Sequence, residues 1–258
     1  MTEAALTADR HPHPDQTGRP TLRQTWPIHG RQALQLLGSY VVITAFFVGL
    51  GMLITGPLDG SFVVHTDERV ARSFADNRTP TWNDASSIGS MLAETWVKVL
   101  VTAIVAGALL LSRRRWREPL VICVALILEA ASFITVTFLV GRNRPDVARL
   151  DTSPVGSSFP SGHVAAAAAY SAIAVVVFWL TRNRIARMSI TVACVVIPII
   201  VALARVYRGM HYLSDVSFGA ILGVTAVVMT ALILRPLPLP LPLTPETNSG
   251  DRHGVHPG

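Results

Sequence analysis

Three short clusters bring together side chains suited to holding an anion and moving a proton. The first is Gly141-Arg142-Asn143-Arg144-Pro145, the second Ser157-Ser158-Phe159-Pro160-Ser161-Gly162-His163, and the third Arg205-Val206-Tyr207-Arg208-Gly209-Met210-His211 followed by Asp215. His211 and Asp215 are four residues apart, so on a helix they share a face. A carboxylate there can fix the imidazole tautomer and leave the other ring nitrogen free as a nucleophile. Ser161 and Gly162 directly precede an alanine-rich apolar run. Ser161 is a plausible helix cap, and the free N–H groups and dipole of a helix start attract an anion. Gly162 would let that anion approach the backbone closely, with His163 beside it able to exchange a proton near neutral pH. Arginine side chains offer planar, permanently charged donors for phosphate oxygens. Taken alone, the second cluster reads equally as an ordinary helix start with an interfacial histidine. Arginines likewise serve lipid headgroups or snorkel at an interface. Neither account explains two histidines, an aspartate and several arginines together.

The elements that must position these clusters are apolar. Half of the 258 residues are hydrophobic and only 15% are charged, where a soluble domain carries about 25%. The hydrophobic content rules out a disordered chain, and two cysteines rule out a disulfide scaffold. Cys123 and Cys194 lie inside apolar runs, where a thiol behaves as a small hydrophobe. No Cys/His spacing suits a metal. Six runs of roughly 20 residues each are long enough to cross a bilayer, near 32–55, 86–111, 119–140, 163–181, 187–204 and 215–234. None alternates with period two, so the fold class is all-α, a polytopic membrane protein with six transmembrane helices rather than a barrel. The first run reads as an uncleaved helix, because it is too long for a signal-peptide core.

The net charge of +6 falls between these runs, which argues against a nucleic-acid partner. Arginines 10, 19, 23 and 31 precede the first run; 113, 114, 115 and 117 join the second to the third; 182, 184 and 187 join the fourth to the fifth. With Arg235 they belong on one side, which the positive-inside rule makes cytoplasmic, along with both termini. The link 56–85 holds five acids and reads as an outer loop, and all three clusters fall on that outer face. Residues 1–30 form a polar N-terminal tail, 31–235 the six-helix domain, and 236–258 a proline-rich C-terminal tail, both tails expected to be disordered. Lys98 and Glu129 each lie about ten residues into antiparallel runs and are expected to pair near the bilayer midplane, with Glu94–Lys98 a competing pair.

Arg144-Pro145, Pro160-Ser161-Gly162-His163 and Arg205-x5-His211-x3-Asp215, in that order, resemble the three-part signature of the type 2 phosphatidic acid phosphatase (PAP2) family. The resemblance covers about 137–215, and the six-helix layout extends it over most of the chain. It implies a PAP2-like helical bundle, no metal or other cofactor, and a phosphohistidine mechanism. On it, His211 attacks phosphorus, Asp215 orients His211, and His163 protonates the leaving oxygen. Arg144, Arg205, Ser161 and Gly162 hold the other phosphate oxygens. Two positions depart from the pattern. Thr137 stands where the family has a lysine, and Ala204 where it has a serine. Arg142 is the first substitute expected to contact phosphate; Arg208 and Thr137 itself are further candidates.

The expected function is that of a membrane lipid phosphatase, open at the extracytoplasmic face. It would act on a phosphomonoester or pyrophosphate of an amphiphilic lipid, such as a polyprenyl phosphate, phosphatidic acid or phosphatidylglycerophosphate. Its partners would be that lipid phosphate and the surrounding membrane lipids. These features do not specify an oligomeric state. The alternatives are a lipid or sugar phosphotransferase using the same residues and a non-catalytic lipid-binding or transport protein.

Overall fold

The computed structural model describes residues 28–113, 116–153 and 155–235. Almost all of both expected tails, together with Arg10, Arg19, Arg23, Arg114 and Arg115, lies outside those residues. The described residues fold as nine helices: α1 Gly30–Thr55, α2 Phe62–Asp76, α3 Pro80–Met91, α4 Thr95–Arg113, α5 Arg117–Val140, α6 Gly162–Ala169, α7 Ser171–Leu180, α8 Arg184–Tyr207 and α9 Leu213–Ile233. Six helices are long and apolar enough to cross a membrane, counting Gly162–Leu180 as one. They agree with the six apolar runs, and the chain is an all-helical, multi-pass membrane protein.

Two runs differ from the sequence reading in their continuity. The run expected at 86–111 is divided between α3 and α4. Its chain turns at Leu92–Glu94, where Ala93 N–H bonds Ser90 O (3.3 Å) and Glu94 N–H bonds Met91 O (3.1 Å). The fourth span breaks at Tyr170, whose hydroxyl donates to Leu92 O at the other break (3.4 Å). Hydropathy averages over such short breaks, because it is read over windows of about 20 residues. The link 56–85, read as a loop, is mostly helical. In α2, Val64, Asp67, Val70, Ala71 and Phe74 form a stripe of helical period that packs inward, while Arg72 and Glu68 face out.

The bundle is organised around α9, which packs on α6, α5 and α1. Its contact with α6 is unusually close. A Cβ at Gly219 would lie 2.5 Å from Ser161 O, and one at Gly223 would lie 2.2 Å from Ala165 O. The small-x3-small spacing lets backbones meet, as it does where helices associate in lipid. Ala165 and Ala168 of α6 meet Gly223 at this seam, within a run of five buried alanines, Ala165–Ala169. Ser161 N–H bonds Asp215 O (3.0 Å), so the start of α6 is tied to the first turn of α9. In contrast, α4 buries none of its side chains and packs on α5.

Candidate active site

The segment between α5 and α6 carries the first two clusters. Gly141 ends α5 with φ +63°, a conformation glycine adopts without strain, and its N–H bonds Thr137 O (3.4 Å). The chain then places Arg142 and Arg144 in different surroundings. Arg144 lines a cavity of about 390 Å³ together with Asp151, Ser157, Gly162, His163, Arg205 and His211. It donates to Met210 O (2.5 Å), Ser153 Oγ (2.9 Å), Val155 O and Ser157 O (both 3.0 Å), gathering the loop around one guanidinium.

Arg142, expected at the phosphate, does not line that cavity. It is buried behind Asp215, bonding Asp215 Oδ1 (2.5 Å), Ser214 Oγ (2.7 Å) and Asp67 Oδ2 (2.9 Å). Its guanidinium also lies 4.4 Å from the centre of the Tyr212 ring. Burial opposes its charge, but Asp215 and Asp67 outweigh that and hold Arg142 above its ordinary range. Arg208 is likewise committed elsewhere. It forms a bidentate pair with Asp151 (2.7 and 2.5 Å) and bonds Asn83 O and Ser86 Oγ (both 3.1 Å). Thr137 is buried and donates to Phe159 O (3.2 Å), outside the cavity lining.

His211 is buried, with Nδ1 at 2.7 Å from Ser158 O. A carbonyl only accepts, so Nδ1 carries the proton and Nε2 keeps the lone pair. This is the division of roles expected of Asp215, but a backbone carbonyl performs it. Asp215 Oδ2 is 4.0 Å from Nδ1 and instead accepts from Tyr212 N–H (2.9 Å). Burial first, then the charges of Arg205 and Arg144, hold His211 well below the ordinary histidine range. It is therefore a neutral imidazole at neutral pH, the state a nucleophile needs.

Around it stand groups with unused capacity. Arg205 is 3% exposed and bonds Ser90 Oγ and Asp151 Oδ2 (both 2.9 Å), yet its Nε has no partner. Ser161 does not line the cavity; it caps no backbone N–H, and its fully buried Oγ is unpartnered. Gly162 and Phe133 both line the cavity, and a Cβ at Gly162 would lie 2.5 Å from the Phe133 ring. His163 is half-buried in the cavity wall with Nε2 at 3.3 Å from Glu94 Oε1. Among the described residues no group of three or more His, Cys, Asp or Glu side chains is placed to hold a metal ion.

Three acids hold positions at the site that the sequence reading did not assign. Asp67 on α2 accepts from Arg142, from Ser214 N–H (2.9 Å) and from Ser214 Oγ. Its place on the apolar stripe of α2 was the available signal. Asp151 joins Arg205 to Arg208; burial would raise it, but the Arg208 hydrogen bond and both arginine charges hold it below the usual carboxylate range. Glu94, the competing candidate for Lys98, faces His163 instead; Lys98 pairs with Glu129 (3.3 Å), as expected.

Residues 118–237 match the PAP2 superfamily model. Decaprenylphosphoryl-5-phosphoribose phosphatases of two Mycobacterium tuberculosis strains are 36% identical over 123 residues, 46% of this chain. The match spans 62% of those relatives' length. The crystal structure of a transmembrane PAP2-type phosphatidylglycerolphosphate phosphatase from Bacillus subtilis shares the fold with a TM-score of 0.63 at 23% identity, over 74% of this chain and 94% of that one. LpxE from Aquifex aeolicus superposes with a TM-score of 0.51 at 22% identity, over 64% of this chain and 93% of the other. The matched segment, residues 118–237, runs from the first turn of α5 past the end of α9 and carries both histidines.

Proposed function

We propose that this protein is a membrane phosphatase that removes a terminal phosphate from an amphiphilic lipid through a phosphohistidine on His211. One observation carries the reading. A neutral, tautomer-fixed His211 shares a cavity with His163, Arg144 and Arg205, where the buried Arg205 Nε lacks a partner. Such a donor is costly to bury idle and is used when an anion arrives.

In the first step Nε2 of His211 forms a bond to phosphorus as the bond to the leaving oxygen breaks, and His163 gives that oxygen its proton. In the second, water attacks the phosphohistidine, His163 takes the water proton, and phosphate leaves with His211 restored. Arg144 and Arg205 hold the remaining oxygens, whose charge is the main obstacle. Asp215 supports the positive charge that develops on His211. The matched relatives are named for an enzyme acting on a polyprenyl-linked phosphate, which supports a lipid substrate.

The site opens on the extracytoplasmic face in this proposal. Arg31, Arg113, Arg117, Arg184, Arg187 and Arg235 gather at the opposite helix ends. At the site end, Arg72, Arg142, Arg205 and Arg208 are matched by acids and contribute less to a topological signal. The purified protein, with chelator present, is expected to release phosphate from a lipid phosphate and to trap labelled phosphate on His211. Undiminished hydrolysis by His211→Ala would contradict the proposal.

A further inference from the structure

Three acids line the cavity, and two of them are committed to arginine or lysine: Asp151 to Arg205 and Arg208, and Glu129 to Lys98. Glu94 is the exception. Among the described residues its carboxylate has one partner, Nε2 of His163, at 3.3 Å. An ionised carboxylate only accepts, so Nε2 carries the proton of that contact. Nδ1 of His163 makes no hydrogen bond to the described residues and is the ring nitrogen left for other work.

The contact is prepared by the two breaks in the membrane spans. Glu94 closes the turn between α3 and α4, and His163 is the second residue of α6. Ala93 is buried in one cluster with Val164 and Ala167 of α6. Tyr170, about two helical turns beyond His163, donates its hydroxyl to Leu92 O. The two residues before Glu94 are thus held by the same helix that carries His163.

Charge gives the contact a purpose. Arg144 and Arg205 line the cavity and repel an imidazolium, whereas a carboxylate beside the ring attracts one. The two histidines are therefore held in opposite ways. His211 gives its Nδ1 proton to a carbonyl, which suits a neutral ring; His163 gives its Nε2 proton to a carboxylate, which suits a charged one.

Resting on the phosphatase reading above, we infer that Glu94 is a positioning residue, which holds Nε2–H of His163 and stabilises the charged ring so that Nδ1 delivers the proton to the leaving oxygen. In the first step the Nδ1 proton passes to that oxygen as its bond to phosphorus breaks and the bond from His211 forms. In the second, Nδ1 takes the proton of the attacking water. Nε2–H stays with Glu94 throughout, and Glu94 remains ionised.

Two measurements test this. Nitrogen-15 spectra of the wild type labelled at histidine, with His163 assigned by its loss in His163→Ala, are expected to show the neutral ring protonated on Nε2. A neutral ring protonated on Nδ1 overturns the inference, and this reading needs no variant at Glu94. The second measurement compares kcat/KM for an alkyl phosphate and an alkyl-nitrophenyl phosphate in mixed micelles. A nitrophenolate leaves without a proton, and an alkoxide does not. Glu94→Gln is expected to lower kcat/KM about tenfold or more on the alkyl ester and far less on the nitrophenyl ester, as loss of general-acid assistance requires. In a His163→Ala background the same change is expected to add nothing further. Equal losses on the two esters, or losses that add to those of His163→Ala, overturn the inference and leave the phosphatase reading intact. Release of phosphate from neither ester by the wild type overturns both.

Discussion

Arg142 and Arg205 are nearly identical by exposure, at 7% and 3%, and both are ion-paired, yet their clusters are opposites. Arg142 stands between two carboxylates, Asp67 and Asp215. Arg205 shares one carboxylate, Asp151, with Arg208. The first cluster has a surplus negative charge behind His211, where an imidazole gaining positive charge benefits. The second has a surplus positive charge at the cavity wall, where a phosphate benefits. Burial and pairing alone therefore do not distinguish the two arginines; under the proposed mechanism the charge balance of the whole cluster does.

The largest expected effect concerns the cluster with excess acid. Arg142→Met leaves two buried carboxylates facing each other and is expected to cost about 3–5 kcal/mol of stability. Unfolding in detergent micelles measures this, and Asp67→Asn introduced with it is expected to recover part of the loss. Equal destabilisation by Arg205→Met would erase the distinction, because Asp151 keeps Arg208 when Arg205 is removed.

Arg205→Met is expected instead to lower kcat by roughly 10²–10³-fold, the usual consequence of losing a donor to a transferring group, with a smaller change in unfolding. A change confined to KM would assign it to ground-state binding rather than to the transition state.

The pH profile sharpens the comparison further. In the proposed mechanism His211 attacks only when neutral, and burial together with the Arg205 and Arg144 charges lowers its affinity for a proton. Activity is therefore retained as pH falls through the ordinary histidine range, and is lost only at the lower pH where His211 protonates. With Arg205→Met the acid limb of kcat/KM is expected to move upward. A limb unmoved by that change would remove Arg205 from the electrostatics of His211. The smallest effect is expected at Arg72, whose exposed pair with Glu68 (3.2 Å) is worth less than about 1 kcal/mol.

Membrane spans, both histidines and the two arginines of the cavity were legible in the sequence because each leaves a local trace. Hydropathy marks a span, and the spacing from Arg205 to Asp215 survives as a short pattern. Asp67 was not legible, because its partner Arg142 lies 75 positions away and joins it only once α2 folds against α9. The same distance problem misassigned Arg142, since proximity to Arg144 in the chain says nothing about which side of Asp215 it reaches. Nor did the sequence distinguish Asp215 from Ser158 as the partner of His211 Nδ1, because any backbone carbonyl can accept that proton.

The contact of Gly219 and Gly223 with Ser161 and Ala165 has a bearing on how this protein can be altered. That seam carries no slack: a single added methyl group at Gly219 or Gly223 meets backbone, and the displacement would pass directly to Ser161 and Asp215. The turn at Leu92–Glu94 and the lightly packed α4 have no such constraint. A laboratory altering the cavity wall is therefore best served by variation at Thr95, with the α6–α9 seam left untouched.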